Sequence, residues 1–362
     1  MIKMRKIIYL TIIVSALLIP SVSVNCQTAA PSGDKYSLLT MPYNQRPLSL
    51  YRGQVQVNAG YKFAVRSRSF NNNGDEIILR DKGNSSVLHY YFLDIKYGVT
   101  SFMEIGAESY YLRRGIREES ATYLSTNALG SVDEINVNTL KEYRGMGDIL
   151  LFSTLRLPIE YKWVDFGARG GIFLPSSEAE PLKPTHTISN VLAANSYTVN
   201  YHYNYKNGYG VPVYFVSALC KFNFSKFAVE GSFSFRDPVK EGTSIRWNQT
   251  LVNTAFKYDS KTYKYLHDRT IIIDGSFHYQ PVGWFNIYMN SSYYKSSGGW
   301  TEYYGNKYSN PVKQLFTLEP GFQIQISPSL TIYQIAGFPL SGKNSDASFF
   351  LFTTVSFNIF PF

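Results

Sequence analysis

The stretch IDGSFHYQ, Ile273 to Gln280, places an acid, a hydroxyl and an imidazole at Asp274, Ser276 and His278. Those are the residue types of a hydrolase that activates serine through a base held by an acid. Their spacing is two, so on a strand all three point to one side, about 6.6 Å from one to the next. That gap is too wide for direct hydrogen bonds, and a triad would need help from a neighbouring strand. The other reading is that the three line the polar side of a sheet. His186, His202, His267 and His278 have no acidic or thiol companions in a metal-ligand pattern. No phosphate-cradling glycine pattern occurs. The chemistry of Asp274 to His278 therefore depends on the element that carries them.

That element is a strand, and the chain is built from strands. Beyond residue 49 the dominant period is two. In QVQVNAGYKFAVRSR, Val55, Val57, Ala59, Tyr61, Phe63 and Val65 share one face, and Gln54, Gln56, Asn58, Gly60, Lys62 and Arg66 share the other. The same reading predicts twelve strands, near 50–66, 86–98, 101–113, 147–160, 163–175, 209–224, 226–237, 269–281, 284–296, 313–327, 330–340 and 349–360. Many exceed the ~9–11 residues that a tilted strand needs to cross a bilayer. Short turns are expected near Gly98-Val99-Thr100, Glu160-Tyr161-Lys162, Ser225, Pro281-Val282-Gly283 and Ser327-Pro328-Ser329. Long loops are expected over 67–85, 114–146, 176–208, 238–268, 297–312 and 341–348. This alternation, with an even strand count, predicts one all-β fold over residues 50–362. It is a transmembrane up-and-down antiparallel β-barrel of about 12 strands, with short periplasmic turns and long extracellular loops, in a bacterial outer membrane.

The N-terminus supports that destination. Lys3, Arg5 and Lys6 precede an apolar run from Ile7 to Ile19, broken by Pro20, which reads as a signal peptide over 1–26. Cleavage is expected after Cys26; the competing reading makes Cys26 a lipidated first residue. Residues 27–49 then form a periplasmic segment or a short plug. Removing the leader lowers the net charge from +9 to +6, too mild and too scattered for a nucleic-acid partner. The expected partners are outer-membrane lipid, the outer-membrane assembly machinery and a small-molecule solute. The chain's 30 Tyr and 25 Phe suit elements with an apolar face and a wet rim.

In a closed barrel, position parity sorts side chains between lipid and interior. Met103, Ile105 and Ala107, Val164, Phe166 and Ala168, Val229, Phe233 and Phe235, Phe285, Ile287 and Met289, and Phe322, Ile324 and Ile326 are expected to meet lipid. The opposite parity holds the candidate lumen-lining set. It comprises Lys62, Asp94, Lys96, Glu104, Glu108, Asp148, Arg156, Asp165, Arg169, Lys221, Glu230, Arg236, Asp274, His278 and Glu319, with Gln323 and Gln325. Facing acids and bases in this set are expected to pair across a narrow lumen. They either hold the interior together or line a solute path. The tyrosine-rich stretches YTVNYHYNYKNGYG, KYDSKTYKYLHD and SSYYKSSGGWTEYYGNKY either bind sugars or aromatic solutes by stacking or form an aromatic girdle with surface loops. At the C-terminal end of the sequence, FLFTTVSFNIFPF reads as the last strand, paired with the first. Pro361 stops the ladder by Phe360, and Phe362 serves as an assembly signal.

Three further stretches, YGVTSFMEIG (Tyr97 to Gly106), GMGDILLFSTLRLP (Gly145 to Pro158) and GFPLSGKN (Gly337 to Asn344), resemble the outer-membrane barrels of the meta-pathway phenol-degradation family. The style of the chain, including Gln27 after the leader, resembles secreted chains of the Bacteroidetes. The resemblance covers most of residues 50–362 and implies passage of small hydrophobic or aromatic compounds. Outer-membrane phospholipases of twelve strands also exist, but their His-x-Ser-Asn-Gly stretch has no counterpart, since His89 is followed by Tyr90 and Tyr91. The leading expectation is a non-enzymatic barrel with no cofactor that admits such solutes. The others are an accessory or adhesion barrel acting through its loops, and an outer-membrane hydrolase.

Overall fold

The computed structural model describes residues 47–79, 85–126, 132–158, 163–175, 185–189, 197–200, 208–252, 255–303 and 305–360. The leader over 1–26, most of the 27–49 segment, the turn at Glu160-Tyr161-Lys162 and the terminal Pro361 and Phe362 lie outside them.

Twelve antiparallel strands close into a barrel. They are β1 (Val55–Phe70), β2 (Ser85–Gly98), β3 (Met103–Thr126), β4 (Ile149–Arg156), β5 (Val164–Leu174) and β6 (Val213–Phe224), followed by β7 (Phe227–Pro238), β8 (Arg269–Val282), β9 (Phe285–Ser297), β10 (Lys313–Ser327), β11 (Leu330–Lys343) and β12 (Ser345–Ile359). Each pairs with its sequence neighbours, and β12 returns to β1 in register from Val55↔Ile359 to Phe70↔Ser345. That seam removes the open edge that lipid would leave unbonded. No helix occurs among the described residues.

The closed ladder sorts side chains by parity. Outward residues form an apolar belt: Val216 is 55% exposed, Phe233 50%, Ile287 47% and Ile326 58%. Trp163, Trp284, Phe224 and Phe227 are exposed at the short-turn end, where aromatic rings suit the level of the lipid headgroups. Inward positions are polar and buried, among them Asn58, Asp94, Glu104, Thr154, Asn286, Thr331, Ser356 and Asn358. A closed barrel with an apolar outer belt belongs in a bilayer, and this architecture places the chain in the bacterial outer membrane.

Several expected boundaries move. β1 starts at Val55 rather than near 50, because Arg52-Gly53 make a turn in which Gly53 takes φ +76°. The connections expected to be long loops carry much β structure. β3 runs on to Thr126 and pairs with a strand at Val132–Met146, and Gly242–Val252 pairs with Ala255–Leu266. The last connection is no loop at all: β11 and β12 meet at Asn344 alone, with φ +49°. Asn tolerates this left-handed conformation, so SGKNSD holds a tight hairpin despite its loop-like composition. The two-residue turn after Phe224 likewise places Ser225 at φ +50°.

Three motif glycines have a packing role. Gly106, Gly147 and Gly337 face inward, and the rings of Phe152, Tyr110 and Phe350 lie over them so closely that a Cβ would overlap each ring. Gly60 under Phe92 and Gly321 under Tyr288 repeat the arrangement. An inward ring needs a floor without a side chain on the adjacent strand, and glycine supplies it.

Candidate functional site in the barrel interior

The inward charges form short contacts along the wall. Arg156 Nε on β4 donates to Asp165 Oδ1 on β5 at 2.6 Å. Lys221 Nζ on β6 lies 2.8 Å from Glu230 Oε1 on β7. Lys96 and Asp94, two apart on β2, are 3.3 Å apart, and Arg169 Nη2 reaches Glu104 Oε1 at 3.4 Å. These pairs form within a strand or between nearby strands, because ladder neighbours sit about 5 Å apart. Lys62 stands over the Phe350 ring at 3.6 Å. Glu319 lines a chamber with Asp274 and His278, and Glu108 lines another with Asp94 and Arg236.

Two of the acids hold backbone rather than a base alone. Asp165 Oδ2 accepts from Leu48 N and Glu104 Oε2 from Leu50 N, both at 3.0 Å. The chain just before β1 is therefore tied to the inner wall at the short-turn end. A second tie sits at the other end, where Asp148 Oδ2 accepts from Tyr209 N at 2.6 Å. The Tyr209 carbonyl accepts from Tyr265 Oη at 2.9 Å and His267 Nε2 at 2.6 Å, and Arg236 Nη1 donates to Tyr209 Oη at 3.1 Å. Gly208 fits because a Cβ there would overlap the Asp148 carboxylate.

Between these ties lie two cavities. One, of about 360 Å³, is lined by Leu48, Glu230, Asp274, Ser276, His278, Tyr288 and Glu319 among others. The second, of about 260 Å³, is bounded by Phe152, Phe173, Phe215, Leu150 and Leu219 together with Arg169, Arg236 and the serines of β6 and β7. These inward phenyl rings are the residues that reading the charges alone misses. Their parity carried the signal: Phe92 shares a face with Asp94, Phe152 with Arg156, Phe173 with Arg169 and Phe215 with Lys221.

Asp274, Ser276 and His278 do share the inner face of β8, but they are wired differently from a triad. Ser276 Oγ and His278 Nε2 are 2.9 Å apart, closer than the strand spacing implies, because the imidazole leans back along β8 over Ser276. Asp274 does not orient the ring; its oxygens accept from Ser232 at 3.1 Å and Ser292 at 2.7 Å. The amide nitrogen of Asn286 faces His278 Nδ1 at 3.1 Å. The Asn286 amide thus stands at the ring nitrogen where a triad holds its acid.

No family model matches the chain, and no curated protein matches it. Solved structures do. An outer membrane channel from Pseudomonas putida F1 superposes with a TM-score of 0.55 at 12% identity, over 86% of this chain and 97% of the channel. The toluene transporter TbuX of Ralstonia pickettii gives 0.44 at 8% identity, over 85% of this chain and 90% of its own. The translocator domain of the autotransporter NalP from Neisseria meningitidis gives 0.42 at 9% identity, over 85% and 89%. The channel shares the fold of this chain.

Proposed function

We propose that the chain is a non-enzymatic outer-membrane barrel that admits small hydrophobic or aromatic solutes through a narrow, charge-lined interior. The candidate lumen-lining residues set its selectivity. Residues 27–49 form a short plug on the periplasmic side, and kinship with the phenol-degradation barrels, in a bacteroidete, belongs to the same reading. The observation that carries it is the set of inward rings, Phe92, Phe152, Phe173, Phe215 and Phe350, beside charges. A water-filled pore has a polar interior, whereas a phenyl-walled one favours apolar solutes over hydrated ions. That a barrel of the same fold is an outer membrane channel agrees with it.

The test compares initial uptake of labelled phenol and toluene by cells whose outer membrane carries the barrel with uptake by cells lacking it. A several-fold increase is expected; equal rates for both solutes would sink the reading. The accessory reading draws on the five-stranded sheet formed by Tyr197–Asn200, Gly242–Val252, Ala255–Leu266, Trp300–Tyr303 and Asn306–Ser309. It expects equal uptake and loss of function when that sheet is trimmed.

A further inference from the structure

The 260 Å³ chamber combines three features that recognise one kind of ligand. The first is an apolar slot: the Phe173 and Phe215 ring centroids are 5.7 Å apart, and Phe152 closes the slot from β4. The second is a hydroxyl rail, where Ser217 Oγ and Ser234 Oγ bond to each other at 2.7 Å. The third is Arg236, whose guanidinium carbon stands 5.1 Å from the Phe173 ring centre.

The charges around the chamber are not equivalent. Asp94 Oδ2 meets Lys96 at 3.3 Å and Asn58 at 2.8 Å while its Oδ1 is buried without a hydrogen-bond partner, and Asp274 accepts from two serine hydroxyls. Arg169 is taken by Glu104 at 3.4 Å and by Thr154 Oγ1 at 2.9 Å. Glu108 also lines the chamber, on the wall of β3 beside Asp94. Arg236 differs: among the described residues it makes no ion pair within 4 Å, and the chamber's Glu108 carboxylate acts on it only at longer range. Its hydrogen-bond acceptor is the Tyr209 hydroxyl, and its buried Nε–H meets none. A guanidinium edge of this kind takes a carboxylate by two parallel hydrogen bonds, and its flat face already rests on an aromatic ring. The volume, slightly below the ~300–1,000 Å³ of drug-sized pockets, suits a single substituted benzene ring.

We propose that this chamber is a binding site for a monoaromatic carboxylate, its ring among Phe152, Phe173 and Phe215 and its carboxylate on Arg236. This rests on the reading of the barrel as a path for small aromatic solutes and narrows the solute class. Uncharged aromatics would use the phenyl walls alone, and aromatic cations would meet Arg236 unfavourably.

The test measures equilibrium binding to the full-length mature barrel, folded in detergent as shown by its heat-modifiable gel mobility. Benzoate, benzyl alcohol and benzylamine serve as probes. Benzoate is expected to bind tightest. Arg236→Met is expected to weaken it about ten- to a hundredfold, the range of a lost hydrogen-bonded charge contact, and to weaken benzyl alcohol binding much less. Arg236→Lys is expected to fall between, because an ammonium cannot bind a carboxylate through two parallel bonds. Equal benzoate affinity in wild type and Arg236→Met would overturn the site. Benzyl alcohol or benzylamine binding as tightly as benzoate would also overturn it, and that comparison needs only the wild-type protein. Failure of the carboxylate site alone leaves phenol and toluene uptake by the barrel intact, whereas failure of the broader reading abolishes that uptake.

Discussion

A single inward glycine decides where a ring can lie. Gly337 on β11 gives Phe350 of β12 its seat, and Lys62 in turn stands over that ring at 3.6 Å. Gly337→Val is expected to force the ring off its rotamer and to cost about 1–3 kcal/mol, as overpacking does. The urea midpoint of the folded barrel should fall accordingly. Gly283→Ala, with no atom within 4 Å of an added Cβ, is the matched control and should leave the midpoint unchanged. At this scale the sequence was partly legible. Gly106, Gly147 and Gly337 stand out in their motifs, and parity puts Phe152 and Phe350 on the same side as the charges. Which ring covers which glycine was not legible, because the partner sits on another strand at a register no local pattern states. The Ser276–His278 contact shows the same gap: spacing along β8 suggested separation, and a side-chain rotamer supplied 2.9 Å.

Strands and the segments between them are where the two ends of the barrel are held. Leu48 and Leu50 hang by their amides on Asp165 and Glu104, each of which also faces an arginine. Glu104→Gln keeps the shape but removes the charge, and a charge-assisted bond is roughly twice as strong as a neutral one. In a Cys220→Ser background, a cysteine at position 50, whose amide Glu104 holds, should then react about tenfold faster with a membrane-impermeant thiol reagent; unchanged labelling would show that Glu104 does not hold the segment. The strands themselves were read closely, because long period-two runs leave little choice of element. The connections were read less well. Pairing of Gly242–Val252 with Ala255–Leu266, and the tight turn at Asn344, rest on polar residues whose composition resembles a loop. Their strand character comes from a neighbouring strand that offers hydrogen bonds.

For the whole molecule, closure turns a row of strands into a wall with two solvents. Phe233 sits near the middle of β7, faces outward and is 50% exposed; Phe224 faces outward at the short-turn end and is 51% exposed. Phe233→Arg is expected to cost about 2–4 kcal/mol, as a charge at mid-bilayer does, and Phe224→Arg only about 0–1. The assembled fraction, read from heat-modifiable mobility after refolding in lipid, should drop for the first and hold for the second. Equal effects would place the apolar belt at a different depth. The amino-acid sequence by itself determined the barrel: a side-chain period of two, sustained over strands long enough to cross a bilayer, fixes which residues face lipid and requires the last strand to meet the first. It also put the charged positions of the long strands on the parity opposite the apolar belt. Only the tertiary structure decided what those charges do: Asp165 and Glu104 hold a backbone, Asp274 binds serines, and Arg236 is left beside a phenyl-walled chamber. The physical reason is that periodicity sets the face a residue occupies, whereas its partner depends on the register of other strands and on the closure that brings distant strands around one interior.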